Sequence, residues 1–320
     1  MGNGRMSADT VSGRQISVAV LVAGLSPAAA AAGEADWFWI LVWSAVAVLL
    51  AWLTLRRTAS RPLYRGAGGT ILYILYAGWS ALMAARVLSR AVRRLEMTSG
   101  GSSGFWLLLL VAVPLLWMAW GKAAPFFRSA EIFWLAMAAL LVPVAGVGIT
   151  RVEWSYVAAR QEDWLGSALA AGEIFVPALF VLPYIYNVEG RSNRRGLAWL
   201  TALGGLAALL SLVTVGILGE AARQLPNSFF AAAGTLGRSA RCEGLLSVLW
   251  LLPDLVLAGL LCRAWGDRWR PMLGGLLVFG LALSGIGAQI TREICVCGTL
   301  GLLLLSMVLP GRKGKIVVDF

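Results

Sequence analysis

Long runs of apolar residues alternate with short polar breaks along most of this chain of 320 residues. A helix needs about 20 mainly apolar residues to cross a bilayer, with a lower limit near 17. The breaks contain Gly, Pro, Arg and Lys, which commonly end or interrupt helices. The pattern predicts ten membrane-spanning helices, at residues 15–33, 37–55, 68–89, 105–120, 129–149, 168–186, 197–219, 242–262, 272–290 and 294–310.

The composition agrees with a membrane protein. Hydrophobic residues make up 59% of the chain, charged residues make up 13%, and the mean hydropathy is +0.78. Soluble domains are roughly 45–50% apolar and about 25% charged. A chain this apolar cannot enclose its apolar side chains in a water-soluble globule. We therefore expect an all-α integral membrane protein, with one transmembrane domain over 1–320 and the lipid bilayer as its surroundings.

The net charge of +11 reflects Lys and Arg residues that lie mostly in the breaks. Membrane topology explains this placement better than nucleic acid, so no nucleic-acid partner is expected. Most of these residues face the cytoplasm if both termini do, with 311–320 as a cytoplasmic tail. One cluster at the outer end of span three departs from the rule, and we expect Arg86 to extend to the interface there. The cluster is Arg86, Arg90, Arg93 and Arg94.

The first span has a second interpretation. Arg14, the apolar stretch 16–25 and the small residues at 26–30 resemble a secretory signal followed by a cleavage site. Cleavage there would leave nine spans and place the new N-terminus outside. Both interpretations stay open at the level of sequence.

The ten spans divide into two sets of five, over 15–149 and 168–310, and the first span of each set is interrupted. Proline removes a backbone donor and crowds the preceding turn, so a helix bends or opens there. Interruptions at matching places in two halves are typical of inverted-repeat transporters, whose free backbone groups bind substrate near the midplane. The alternative is that proline is simply tolerated in membrane helices. The interrupting residues are Gly24, Ser26 and Pro27 in span one, and Gly172, Pro177 and Pro183 in span six.

Two carboxylates lie within apolar spans. Glu173 follows Gly172 in span six, and Asp254 follows Pro253 near the centre of span eight. A carboxylate at mid-membrane costs at least about 2.5–3.5 kcal/mol on insertion scales. Each is therefore predicted to hold a cation, carry a proton or bind a substrate ammonium group, with Asp254 as the ion-coupling residue. The alternative is a neutral or locally paired carboxyl that fastens helices together.

Other candidate chemistry is sparse. Tyr73 and Tyr76 share one face of span three and are candidates to line the ligand cavity, although Tyr also marks membrane interfaces. The chain contains no histidine, which excludes a Ser-His-Asp group and His-ligated metal sites. The four cysteines are expected to pack as small apolar residues. We therefore predict no enzyme activity, no metal and no cofactor.

A set of short motifs, in order along the chain, resembles the B subunit of spore germinant receptors. These endospore germination permeases belong to the amino acid–polyamine–organocation superfamily. The first motifs are Gln15 at the start of span one and the stretch 31–37 before span two. The later ones are Gly121 with Arg128 and Glu131, then Gly172-Glu173 with Pro183, then Arg241 and Glu243 with Trp250.

The resemblance implies a LeuT-like core with discontinuous helices one and six. It also implies an amino-acid-type nutrient bound between spans one, three, six and eight, and a complex with the receptor's A and C subunits in the inner membrane of the spore. The expected ligand-binding residues nearest the interruptions are Gly24, Ser26, Gly172 and Glu173. An alternative function is a secondary amino acid transporter or ligand-gated cation channel coupled to H⁺ or Na⁺.

Overall fold

The computed structural model describes residues 11–58, 67–101, 103–120, 122–158, 163–189, 194–236, 240–263 and 270–308, which excludes the predicted tail 311–320. Within these ranges the chain forms helices joined by turns and contains no strand, so the all-α prediction is confirmed. The helices are α1 Gly13–Ala31, α2 Trp37–Thr58, α3 Ala67–Ser99, α4 Gly104–Trp120, α5 Ala123–Ile149, α6 Trp154–Ala158, α7 Trp164–Glu189, α8 Arg194–Leu218, α9 Ala221–Gln224, α10 Ser228–Leu236, α11 Ala240–Leu249, α12 Leu251–Arg263, α13 Arg270–Leu283, α14 Ile286–Gln289 and α15 Arg292–Val308.

Six helical stretches within the described ranges are long and apolar enough to cross a membrane. Shorter apolar stretches occur in α4, α7 and α13. Large apolar side chains on α2, α4 and α5 are exposed, including Leu49, Trp117 and Leu135, as expected for surfaces that face lipid. These features indicate a membrane-embedded protein. The six stretches are Gly13–Ala31, Trp37–Thr54, Thr70–Ser99, Ala123–Ile149, Ala198–Leu218 and Glu243–Arg263.

Helix α1 lies at the centre of the bundle. Its N-terminus has a capping box, in which the Ser12 hydroxyl accepts from the Gln15 backbone and the Gln15 side chain accepts from the Ser12 backbone. Nearly all of its following residues are buried, and it packs on α5, α7, α8 and α12. This helix is long and apolar enough to cross a membrane.

The predicted interruptions of spans one and six are wrong. Helices α1 and α7 each run without a break, through Pro27 and through Pro177 and Pro183 respectively. Proline removes one backbone donor, and the helix continues because packing on neighbouring helices supports the remaining turns. Pro27 also lies only one turn before the end of α1, so few helical bonds depend on it.

Breaks occur instead in the predicted spans eight and nine. Helix α11 passes to α12 at Trp250, where Pro253 has no N–H to donate to the carbonyl of Leu249. Helix α13 ends at Leu283, and after it Gly285 adopts a φ of 75°, a left-handed conformation that glycine adopts without a steric penalty. Each break is followed at once by another helix.

Several helix pairs recur when each helix is replaced by the one five predicted spans away, although the close packing of α1 on α12 has no such counterpart among the described residues. In this numbering span six is α7, span seven is α8, span eight is α11–α12, span nine is α13–α14 and span ten is α15. The contact of α1 with α8 corresponds to that of α7 with α2, and the contact of α1 with α5 corresponds to that of α7 with α15. In the same way α3 with α4 corresponds to α12 with α13, and α4 with α12 corresponds to α13 with α3. Part of the packing in the first half therefore has a counterpart in the second half.

Polar contacts between helix ends fall into two groups. The first group joins Glu34 to Arg292 at 2.6 Å and Asp36 to Ser167 at 2.8 Å. The second group joins Gln15 to Glu131 at 3.4 Å and Arg263 to Met118 at 2.8 Å. In each contact, the predicted topology places the two joined residues on the same side of the membrane.

We expect Gly287→Ala to destabilise the bundle. A Cβ at Gly287 in α14 would lie 2.6 Å from the backbone carbonyl of Ala85 and 2.9 Å from the backbone nitrogen of Arg86 in α3. Overpacking against backbone costs about 1–3 kcal/mol of unfolding free energy. Thermal melting in detergent measures this loss of stability. Gly280→Ala is the control, because a Cβ at Gly280 would meet no described atom within 4 Å. Gly280 is exposed within α13, so its replacement should be stabilising by about 0.5–1 kcal/mol. Equal effects of the two changes would contradict the close α3–α14 contact.

Candidate functional site

Three arginines of α3 point into the helix bundle. Arg86, Arg90 and Arg94 recur every fourth residue and so share one face of the helix. Arg94 is buried, Arg86 and Arg90 are partly buried, and Arg93 on another face is exposed. The basic cluster at the outer end of span three, which departs from the positive-inside rule, therefore lies mostly inside the helix bundle.

Glu173 of α7 is the acceptor for three guanidinium groups. Its Oε1 accepts from Arg86 and, at 2.6 Å, from Nη1 of Arg90. Its Oε2 accepts from Nε of Arg292, at the start of α15, at 3.0 Å. The Glu173 side chain is only 4% exposed. One buried carboxylate therefore connects α3, α7 and α15.

Two further ion pairs lie beside this centre, one partly exposed and one almost fully buried. Nη1 of Arg292 also pairs with Glu34 at 2.6 Å, just after α1, where the Glu34 side chain is 46% exposed. Deeper in the bundle, Nη2 of Arg94 donates to Oδ2 of Asp254 in α12 at 2.5 Å. Arg94 lies one helical turn from Arg90 on the same face of α3, so the two groups of ion pairs are neighbours. We call these seven residues the arginine–carboxylate network: Glu34, Arg86, Arg90, Arg94, Glu173, Asp254 and Arg292.

Opposite charge is what allows this network to exist among apolar helices. An isolated charge transferred from water to a low-dielectric interior carries a desolvation penalty of several kcal/mol. Ion pairs with direct hydrogen bonds offset that penalty, and they strengthen when the surroundings exclude water. Removing one partner leaves an uncompensated charge, so each helix is held in place by the charges on its neighbours.

The structure places Glu173 and Asp254 in one network, and both were chosen from sequence. It pairs each with arginine, which is the arrangement in which a carboxylate fastens helices together. The expectation that Arg86 extends to the interface is wrong, because Glu173 draws its guanidinium inward. The four-residue spacing of Arg86, Arg90 and Arg94 is the sequence signal that could have indicated a shared inward face. No comparable spacing in the sequence marked Glu34 or Arg292 as part of this site.

The tyrosines of α3 lie away from the network. Tyr76 is buried and stacks on Phe180 of α7, with ring centroids 4.6 Å apart and planes 16° from parallel. Ten residues separate it from Arg86, which corresponds to about 15 Å along the helix. Tyr73 is partly buried and lies nearly one turn further along. The structure therefore does not bring the two tyrosines to the carboxylates.

The small residues predicted for the ligand site serve helix packing. A side chain at Gly24 would collide with Leu203 of α8, and one at Gly172 would lie 3.0 Å from the ring of Trp43 in α2. Ser26 is buried within α1. Small residues commonly allow membrane helices to approach closely. Since α1 and α7 are continuous, these positions do not present the open backbone groups that were expected.

Within the described ranges, no group of three or more His, Cys, Asp or Glu side chains could hold a metal ion. The carboxylates of the network face guanidinium groups at hydrogen-bond distance. Such an arrangement exchanges most readily with ligands that carry a carboxylate, an ammonium group or both.

No protein-family model matches this chain, and no curated protein matches its sequence. The resemblance to spore germinant receptor B subunits therefore rests on the sequence motifs and stays a prediction. Two residues from those motifs, Gln15 and Glu131, contact each other between α1 and α5 at 3.4 Å.

We expect Glu173→Gln to destabilise the protein strongly. The change leaves three guanidinium groups without their shared counter-charge, and breaking a buried ion pair typically costs about 3–5 kcal/mol. The matched control is Glu34→Gln, which removes the same charge at a side chain 46% exposed and should cost about 1 kcal/mol or less. Thermal melting of both variants in detergent gives the comparison. Similar losses would contradict the central position of Glu173.

The Arg94–Asp254 pair should behave as a coupled unit. Arg94→Met alone and Asp254→Leu alone each leave one charge buried without its partner, and each should cost about 3–5 kcal/mol. The double variant replaces the pair by apolar side chains and should lie within about 1–2 kcal/mol of the wild type. A double-mutant cycle by thermal or denaturant unfolding measures the coupling. Additive losses would show that the two side chains do not depend on each other.

Proposed function

We propose that this protein is a permease-like subunit of a spore germinant receptor, which binds a small nutrient of amino-acid type and signals germination. The observation that carries the ligand-binding part is the arginine–carboxylate network inside an apolar helix bundle. The sequence motifs carry the assignment to germinant receptors. This assignment implies that the protein lies in the inner membrane of the spore, has cytoplasmic termini and associates with the receptor's A and C subunits.

The helix contacts support a ten-span, LeuT-like architecture for this function. The packing pairs that recur five spans apart are those expected of a five-plus-five repeat. A shift by an odd number of spans reverses the direction of each helix, so such a repeat is inverted. The two groups of end contacts agree with ten alternating passes. In this proposal the repeat holds although helices one and six are continuous.

The position of the network supports a role in ligand recognition. Ionisable residues inside a membrane commonly mark substrate or ion pathways. Its buried members lie on α3, α7 and α12, which correspond to spans three, six and eight, and Glu34 and Arg292 lie just after α1 and at the start of α15. Arg90 is the accessible member of the Glu173 cluster, with 29% of its side chain exposed. A zwitterion has one charge of each sign, so it can replace the Arg90–Glu173 pair and leave the net charge unchanged.

Exchange of ion pairs provides a mechanism for signalling. In the ligand-free protein, Arg292 joins Glu173 of α7 to Glu34 after α1. A nutrient whose carboxylate binds Arg90 and whose ammonium group binds Glu173 weakens the hold of Glu173 on Arg292. The helices then adopt a second arrangement that partner subunits detect. The ligand shifts this equilibrium only as far as its affinities for the two states differ.

The first test is a ligand screen by thermal melting of the detergent-purified protein with amino acids, sugars and nucleosides. We expect at least one amino acid to raise the melting temperature, since a ligand at 100 times its Kd adds about 2.7 kcal/mol of stability. Arg90→Gln should abolish this shift. Arg93→Gln removes the same charge one turn away on an exposed face and should keep it. Equal shifts in both variants would place the ligand elsewhere, and no shift with any compound would contradict nutrient binding by this subunit.

A flux measurement separates the receptor from the alternative function. The protein is reconstituted in liposomes with the amino acid found in the screen. We expect binding without net uptake of the amino acid and without an H⁺ or Na⁺ current. Uptake coupled to either ion would establish a secondary transporter, and a ligand-dependent current alone would establish a cation channel.

A further inference from the structure

Three buried polar atoms lie around the break between α11 and α12 without a hydrogen-bond partner among the described residues. They are Nε of Arg94, Oγ of Ser247 and Nε1 of Trp250. Ser247 and Trp250 are fully buried, and Arg94 is 6% exposed. Buried polar groups in native proteins are nearly always hydrogen-bonded, and an unmet one is unfavourable. Three together therefore need a common explanation.

Helical spacing and a shared contact with Phe230 place these side chains near one another. Ser247, Trp250 and Asp254 follow one another at helical spacing across the break, so they share a face. Arg94 reaches this face through its bond to Asp254 at 2.5 Å. The guanidinium carbon of Arg94 lies 5.1 Å from the ring centroid of Phe230, and the ring of Trp250 lies 5.5 Å from the same ring. We call Arg94, Ser247 and Trp250 the donor cluster.

The chemistry of the donor cluster selects an acceptor. The Nε–H of Arg94 and the indole N–H of Trp250 are donors only, and the hydroxyl of Ser247 can donate as well. A cation needs lone pairs from its ligands, and the N–H groups of Arg94 and Trp250 have none to offer. The group that satisfies all three is one with several lone pairs, such as an anion.

The charge of the surroundings favours an anion over a neutral acceptor. The arginine–carboxylate network contains four arginines and three carboxylates, which leaves one positive charge in excess. Arg90 lies one helical turn from Arg94 on the same face of α3, so this positive charge lies beside the donor cluster. One monovalent anion would neutralise the network, and a neutral acceptor would not.

We propose that Arg94, Ser247 and Trp250 bind a small monovalent anion, either a halide or a carboxylate group, inside the helix bundle. This site is separate from the exchange of the Arg90–Glu173 pair. It would bind its anion whether or not the protein recognises a nutrient. An anion held there also satisfies Arg94 while that side chain remains paired with Asp254.

The test uses the full chain in detergent, transferred from sodium isethionate, whose bulky anion serves as the reference, to sodium chloride, iodide or acetate at constant ionic strength. We expect a saturable rise in melting temperature with at least one of the three. Ser247→Ala and Trp250→Phe should each weaken the apparent affinity at least tenfold. Response to halides alone identifies an inorganic ion, and response to acetate identifies a carboxylate. Equal melting temperatures in all four salts, or unchanged affinity in both variants, would overturn the proposal.

Iodide provides a second readout that does not depend on stability. Bound iodide quenches a neighbouring indole, so the wild type should show a saturable quenching component that Trp250→Phe lacks. Trp117→Phe is the matched control, because Trp117 is 82% exposed on α4. It should retain the saturable component and lose only collisional quenching. Loss of the saturable component in Trp117→Phe instead would place the anion at the surface and contradict the proposal.

Discussion

The arrangement of this protein depends on the need to neutralise charge inside an apolar bundle. Glu173 is almost fully buried and accepts hydrogen bonds from Arg86, Arg90 and Arg292. Removing Glu173 would leave three guanidinium groups without their shared counter-charge in a low-dielectric interior. The positions of α3, α7 and α15 are therefore interdependent.

This dependence connects the two halves of the chain. Arg86, Arg90 and Arg94 belong to the first half, and their carboxylate partners Glu173 and Asp254 belong to the second. The apolar contacts between the halves involve glycine, aliphatic and aromatic side chains, such as Tyr76 against Phe180, and they need no specific partner for each atom. The ion pairs allow far fewer registers, because a displacement of one turn would separate each guanidinium from its carboxylate. They therefore specify how the halves align.

A network of this kind can also change state as a unit. Its members share partners, so exchanging one pair alters the balance of the others, and their contributions are not additive. Glu34 and Arg90 are its most exposed ends, whereas Asp254 and Arg94 are enclosed. A change of charge at the exposed end would therefore act electrostatically on the enclosed residues.

The sequence by itself determined the all-α membrane class, the extent of most helices and the two carboxylates of the site, because apolar runs and isolated charges are local signals. Only the tertiary structure decided which charges pair, since Arg86 and Glu173 lie 87 residues apart along the chain. It also decided that Pro27 leaves α1 unbroken, because packing on four neighbouring helices outweighs one lost hydrogen bond. Local propensity locates helices, but long-range burial and neutralisation of charge determine how they are arranged.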